Sequence, residues 1–241
     1  MTRPLVALPP LGMRRDYHII ESDFHEDTDT AVWVKTSDAA GSANVGDAVG
    51  GIMAIAVGGT ADNDECYVES PNETFKFAAN KPLRFAAYVQ FTEASTNKDN
   101  IIVGIKDAVG ADTLVDNGGG PPSSYSGAVF FKEDGQTLWS VEVSIGSTQE
   151  TKQLTAANSL DKQSHTAGTT SAYQWLVIEF DPISSTSADI AFFIDGVLVY
   201  KFTGDYITNA TEMQICLGAK AGGSSAAPTL NVDFVSCIQK R

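Results

Sequence analysis

Glu21-Ser22-Asp23-Phe24-His25-Glu26 is the first segment whose residue types could do chemistry. Alternation along an extended strand puts Glu21 and Asp23 on one face, and a bulge would bring Glu26 round to join them. Two carboxyl groups about 5–5.5 Å apart are what a retaining glycoside hydrolase needs, one as nucleophile and one as acid/base. The segment runs on into Asp27-Thr28-Asp29, and short acidic patterns recur by chance in a chain with 30 Asp+Glu. Its position ahead of most strand-like runs sets the catalytic reading aside. The sequence assigns no catalytic residue and predicts that the protein is not an enzyme.

No other constellation takes its place. A Gly-x-Ser-x-Gly nucleophile turn is absent, and His18, His25 and His165 are scattered without metal-ligand spacing. Gly118-Gly119-Gly120 has the composition of a phosphate cradle, but Pro121 and Pro122 follow where a helix would have to begin. Two acidic clusters offer oxygen ligands for calcium: Asp62, Asn63, Asp64 and Glu65, and Asp112, Asp116 and Asn117. Calcium wants about six to eight oxygens, and neither cluster follows a defined calcium loop. Solvated acidic loops are the competing reading, so no cofactor is assigned, with calcium as the alternative. Cys66, Cys216 and Cys237 are odd in number and each lies in a strand-like run. They read as buried free thiols in a reducing compartment rather than as a disulfide framework.

Charge narrows the partners. Sixteen Lys+Arg against 30 Asp+Glu give a formal net charge of −14. That balance opposes nucleic acid, whose phosphates need clustered cations, and it opposes anionic membranes for the same reason. No apolar run approaches the roughly 18 residues of a membrane span, and Pro9 and Pro10 break any signal-peptide helix. Residues 1–16 hold three of the nine prolines together with Arg3, Arg14 and Arg15. They read as an extended arm whose basic side chains dock on an acidic neighbour, with a frayed terminus as the alternative. Tyr125, inside the Gly/Pro/Ser-rich stretch Asp116–Gly127, is the aromatic expected at the surface, and that loop is the expected contact region for a sugar or a neighbouring subunit. Trp33, Trp139 and Trp175 lie in strand patterns, where core packing is the default.

The elements that must position these residues are strands almost throughout. Runs rich in β-branched and aromatic residues, bounded by Gly/Asn/Asp/Ser/Pro clusters, predict strands near 32–35, 51–57, 65–69, 74–77, 83–91 and 101–106. Further strands are predicted near 127–131, 138–145, 174–180, 188–194, 197–202, 212–219 and 230–238. The only helical candidate is a turn or two within 152–160. Asp195-Gly196, between two apolar runs, predicts a tight hairpin, because a type I′ turn needs positive φ at both central residues. Together these predict an all-β, two-sheet antiparallel sandwich over residues 17–241, one domain behind the arm. Lys81, Pro82, Lys201, Lys240 and Arg241 are candidates for guarding its sheet edges.

The segment 174–202 carries a resemblance. Trp175-x-x-x-x-Phe180-Asp181, a polar loop, then Phe192-Phe193-Ile194-Asp195-Gly196 and a returning apolar strand look like the concanavalin A-like/laminin-G-like jelly-roll superfamily. Gly50-Gly51-Ile52-Met53-Ala54-Ile55 resembles an early strand of that superfamily, and Leu83-Arg84-Phe85-Ala86-Ala87-Tyr88-Val89 a following one. The superfamily includes β-glucanases whose active strand reads E-x-D-x-x-E, and many members bind calcium or glycan. Segments 61–65, 73–77, 100–105 and 118–131 further resemble jelly-roll proteins of tailed-bacteriophage particles. That resemblance implies a non-enzymatic virion structural protein, a capsid decoration protein. It would be made in the host cytoplasm and bind the major capsid protein or another virion protein at the capsid surface, as a homo-oligomer. A lectin-like carbohydrate-binding module is the alternative, and a glycoside hydrolase ranks last.

Overall fold

In the strand Ser187–Ile194 every second side chain (Ala188, Ile190, Phe192, Ile194) is buried, while its neighbours are more exposed. This alternation follows from the period-two pleat, and it recurs through the chain. The computed structural model describes residues 15–24, 33–38, 41–46, 51–59, 61–93, 97–117, 119–167, 172–223 and 227–241. Among them it contains β1 (Tyr17–Ser22), β2 (Val34–Ser37), β3 (Ser42–Gly46), β4 (Ile52–Ala56), β5 (Glu65–Glu69), β6 (Leu83–Thr92), β7 (Asp99–Lys106) and β8 (Tyr125–Lys132). It continues with β9 (Ser140–Gly146), β10 (Thr148–Gln153), β11 (Gln174–Pro182), β12 (Ser187–Ile194), β13 (Val197–Asp205), β14 (Gln214–Ala221) and β15 (Thr229–Lys240). No α-helix occurs among the described residues, so none there is long and apolar enough to cross a membrane.

The strands form two antiparallel sheets. One has eight strands in the order β13-β12-β11-β6-β15-β4-β3, with β1 also on β15; the other runs β10-β9-β8-β7-β14-β5-β2. In the first, β1 and β4 share one flank of β15: β1 runs along 235–240 and β4 along 229–232. Between those stretches the register against β6 slips by one residue, leaving Asp233 in a bulge. The inner faces of the two sheets meet in one large core. Phe130 of β8 meets Phe192 of β12 edge-on at 5.1 Å, and Trp139 lies against Phe91 and Phe130. Each such ring contributes roughly 1.5–3 kcal/mol of apolar burial, which is how so polar a chain holds together without cross-links.

The sandwich expected from the sequence is therefore the fold observed, with local corrections. The run at 74–77 is not a strand; Phe75 makes a single bridge with Met213. Residues 154–162 form turns rather than a helix. β1, β3 and β10 were not anticipated. Asp195 (φ 50°) and Gly196 (φ 79°) make the hairpin turn, both at positive φ as the dipeptide requires. Lys201 stands exposed on β13, an edge strand. Lys81 and Pro82 instead lead into central β6. All three cysteines are buried and unpaired, and burial pushes the Cys66 thiol up to about 11.

Candidate functional site

Two outward sheet faces are available for function, and the fold treats them differently. On the seven-stranded sheet Tyr67, Ile102, Tyr125, Val129, Phe131 and Cys216 point away from the main core. They are nevertheless buried, because Val109 and Leu114 of the segment between β7 and β8 pack onto them as a second apolar cluster. The Leu114 amide donates to the Tyr67 hydroxyl at 3.2 Å.

One lysine pins that segment. Lys220 of β14, 1% exposed, sits opposite Glu65 of β5 in register and pairs with its carboxylate at 3.1 Å. The same ammonium reaches Asp112 at 2.9 Å, Asp116 at 2.5 Å and the Leu114 carbonyl at 3.0 Å. Burial alone would lower the Lys220 pKa, but the Asp116, Asp112 and Glu65 carboxylates outweigh it and hold the group above its ordinary value. Asn63 accepts from the Asn117 amide at 3.0 Å, so the two acidic clusters of the sequence are one place in the structure. Asp64 is spent on the Ala61 amide. The calcium reading does not fit this arrangement. A covalently supplied cation already occupies its centre, and no group of three candidate ligands among the described residues is placed to hold a metal ion.

The other polar side chains of this face are also engaged. Gln214 donates to Glu69 at 2.7 Å, and burial, with Glu73 beside it and Lys106 opposing, lifts the Glu69 carboxyl to about 7. Glu142 accepts from the Tyr125 hydroxyl at 2.8 Å, from Gln149 at 3.0 Å and from Thr151. Tyr125 is thus a correction. It is the first residue of β8, 3% exposed, and its ring lies under the Lys106 ammonium at 5.3 Å. Among the described residues of the 116–127 stretch, the exposed ones are Asp116, Asn117, Gly119, Ser123 and Ser124 instead. Arg3 and Arg14 lie outside the described residues, and Arg15 is exposed at the start of the described chain.

On the eight-stranded sheet, the outer face carries a row of aromatic side chains that is only partly buried. Tyr88 of β6 is flanked in register by Trp175 of β11 and Phe234 of β15, all three half-exposed. Trp175 stacks on Tyr88 at 4.7 Å, Tyr173 meets Tyr88 at 4.9 Å, and Phe234 meets Trp175 at 5.6 Å. The Asp195 carboxylate accepts from the Trp175 amide, and the Asp195 amide donates to the Trp175 carbonyl, both at 2.9 Å. The hairpin turn therefore fixes the backbone beneath the indole. Gln90, Asn231 and the bulged Asp233 edge the rings. Burial, and the Asp23 carboxylate beside it, raise the Asp233 carboxyl; burial and Asp233 raise the Tyr173 hydroxyl in turn.

This aromatic row is what sequence reasoning missed. Trp33 and Trp139 are buried as expected, but Trp175 is not. The signal was present: Leu176, Ile178 and Phe180 occupy the inward phase of β11, so residue 175 falls in the outward phase with Glu179 and Asp181. Glu21 and Asp23 are exposed at the end of β1 on this sheet, while Phe24 is buried against Trp33 at 5.8 Å. Glu26 and His25 lie outside the described residues. His18 bonds Thr74 at 2.8 Å and His165 bonds Asp161 at 3.0 Å, each for local structure.

No protein-family model and no curated protein matches the sequence. Solved structures match it over nearly its whole length. The endo-1,3-β-glucanase of Streptomyces sioyaensis aligns at 14% identity and TM-score 0.59, covering 98% of this chain and 99% of its own. The carbohydrate recognition domain of Emp46p aligns at 11% identity and TM-score 0.57, covering 90% and 94%. Peanut lectin aligns at 11% identity and TM-score 0.56, covering 93% and 97%. The fold is a concanavalin A-like jelly roll. At these identities the likeness describes the shared backbone of this jelly roll and leaves its side-chain chemistry to be read from its own residues.

Proposed function

We propose that the protein is a non-catalytic carbohydrate-recognition module that holds a saccharide against the outer face of the eight-stranded sheet. The observation that carries this reading is the half-exposed row Tyr88, Trp175 and Phe234, edged by Gln90, Asn231 and Asp233. Large amphipathic rings give apolar contact to the C–H faces of a sugar, and a few amide and carboxylate groups beside them take its hydroxyls. The lectin domains among its structural neighbours lend support at the level of fold. The non-catalytic part is supported by the carboxylates of the opposite sheet: Glu69 and Glu142 are both buried and committed to protein partners.

A glycan array followed by titration of the best-binding sugar tests the proposal. Trp175→Ala should weaken binding at least about tenfold, roughly 1.4 kcal/mol, with little change in Tm because the indole lies outside the core. An array on which nothing binds, or an unaffected variant, would overturn it. A capsid-decoration protein is the competing reading, and the same protein can be tested for it. A silent array combined with recovery of the protein in purified virus particles would move the assignment there.

A further inference from the structure

The aromatic row is one end of a longer feature. Three strands in register present three cross-strand rows outward: Trp175–Tyr88–Phe234, then Val177–Ala86–Ser236, then Glu179–Arg84–Ile238. The middle row is made of small side chains and is buried, so it forms a floor between two taller walls. Beyond it, a cleft of about 300 Å³ opens among Tyr17, Pro82, Arg84, Glu179, Asp181 and Ile238. Arg84 lies four residue steps before Tyr88 on β6, which at about 3.4 Å per step is roughly 14 Å.

We infer that this cleft is a second subsite, and that the ligand is an extended oligosaccharide lying along β6 from the aromatic row to Arg84. The inference rests on the carbohydrate reading above and adds its length requirement. A single sugar ring cannot reach from one wall to the other, whereas a linear chain can. The far subsite has the chemistry to hold it. Among the described residues the one bond from Arg84 is Nε to Glu179 at 3.1 Å, which leaves the terminal guanidinium nitrogens to donate to hydroxyls. Asp181 stands exposed at the mouth as an acceptor, and Ile238 and Pro82 give the apolar side. Two linked contacts on one rigid sheet gain affinity over either alone, because the second forms intramolecularly.

Titration of β-1,3- and β-1,4-glucan oligosaccharides from dimer to hexamer, and of the same length series for the best array sugar, reads this out. Affinity should rise about tenfold or more from dimer to pentamer, and Arg84→Gln or Asp181→Asn should abolish the rise while leaving dimer binding unchanged. Trp175→Ala should weaken every length. Asp181 is exposed, so its variant keeps the test open if Arg84→Gln perturbs folding. Affinity independent of length, or a length gain that survives both variants, overturns the second subsite and leaves the carbohydrate reading standing. Failure of every saccharide to bind overturns both.

Discussion

Lys220→Met is expected to destabilise the protein by about 3–5 kcal/mol, the cost of stranding a buried carboxylate without its cation. The stem of the lysine packs where a methionine would fit, so the loss is electrostatic. Glu65 is as buried as Lys220 and has the ammonium as its only ion-pair partner among the described residues. Asp112 and Asp116 are exposed and can turn to water, so Asp112→Asn or Asp116→Asn should cost less than about 1 kcal/mol each. Adding Glu65→Gln to Lys220→Met removes the stranded charge and should recover a large part of the loss. Urea unfolding of the two single variants and the double reads this directly. A double variant no more stable than Lys220→Met would show that packing of the segment over Leu114, rather than charge, holds this face closed. Because the cation is part of the chain, EDTA should leave the wild-type Tm unchanged.

That cage also shows where the sequence stopped being legible. Both acidic clusters were visible, but their meeting depends on β5 and β14 being neighbours, and on Lys220 standing opposite Glu65. No local pattern encodes a contact between residues so far apart in the chain. The strands that alternation revealed are those with one apolar phase, such as β12. β10 reads Thr-Gln-Glu-Thr-Lys-Gln, an edge strand pairing only with β9, so it buries too little to show a phase. β3 is short and ends in Gly46, and β1 follows directly on a segment read as an arm. Tyr125 misled because Gly, Pro and Ser around it signal a loop, whereas the strand begins at that residue. The Asp195-Gly196 turn was readable because the dipeptide itself dictates the backbone. The likeness to phage proteins rested on short segments, and the comparisons bear on the jelly roll they share rather than on a particle.

A second large effect is expected at Asp99, and its sign runs against intuition. Asp99 opens β7, is 0% exposed, and has no hydrogen-bond donor on either carboxylate oxygen among the described residues. The cation nearby is already committed: Lys132 pairs with Glu93 at 2.6 Å and donates to the Asp99 carbonyl rather than to its side chain, at 2.8 Å. Burial first, then the Glu93 and Asp134 carboxylates, raise the Asp99 carboxyl to about 7 against the partial pull of Lys132. The folded protein therefore holds a proton there that the unfolded chain releases near its ordinary value of 3.8. Stability falls as pH rises across that window, and the full cost is present above about pH 7. Glu69, lifted from 4.5 to about 7, acts in the same direction. Asp189 and Asp205 are held low by hydrogen bonds, Asp189 from Lys201 and Thr203 and Asp205 from Thr208, so they lose stability only at more acid pH, outside this window. Asp99→Asn keeps the shape, removes the charge, and offers Glu93 and Asp134 a donor in place of a repelling carboxylate. It should stabilise the protein by about 1–3 kcal/mol near pH 8 and have a much smaller effect near pH 5, where the wild-type carboxyl is already protonated. Urea titrations at both pH values settle the matter, since an equal effect at the two, or a loss of stability at pH 8, would mean that the buried carboxylate is satisfied.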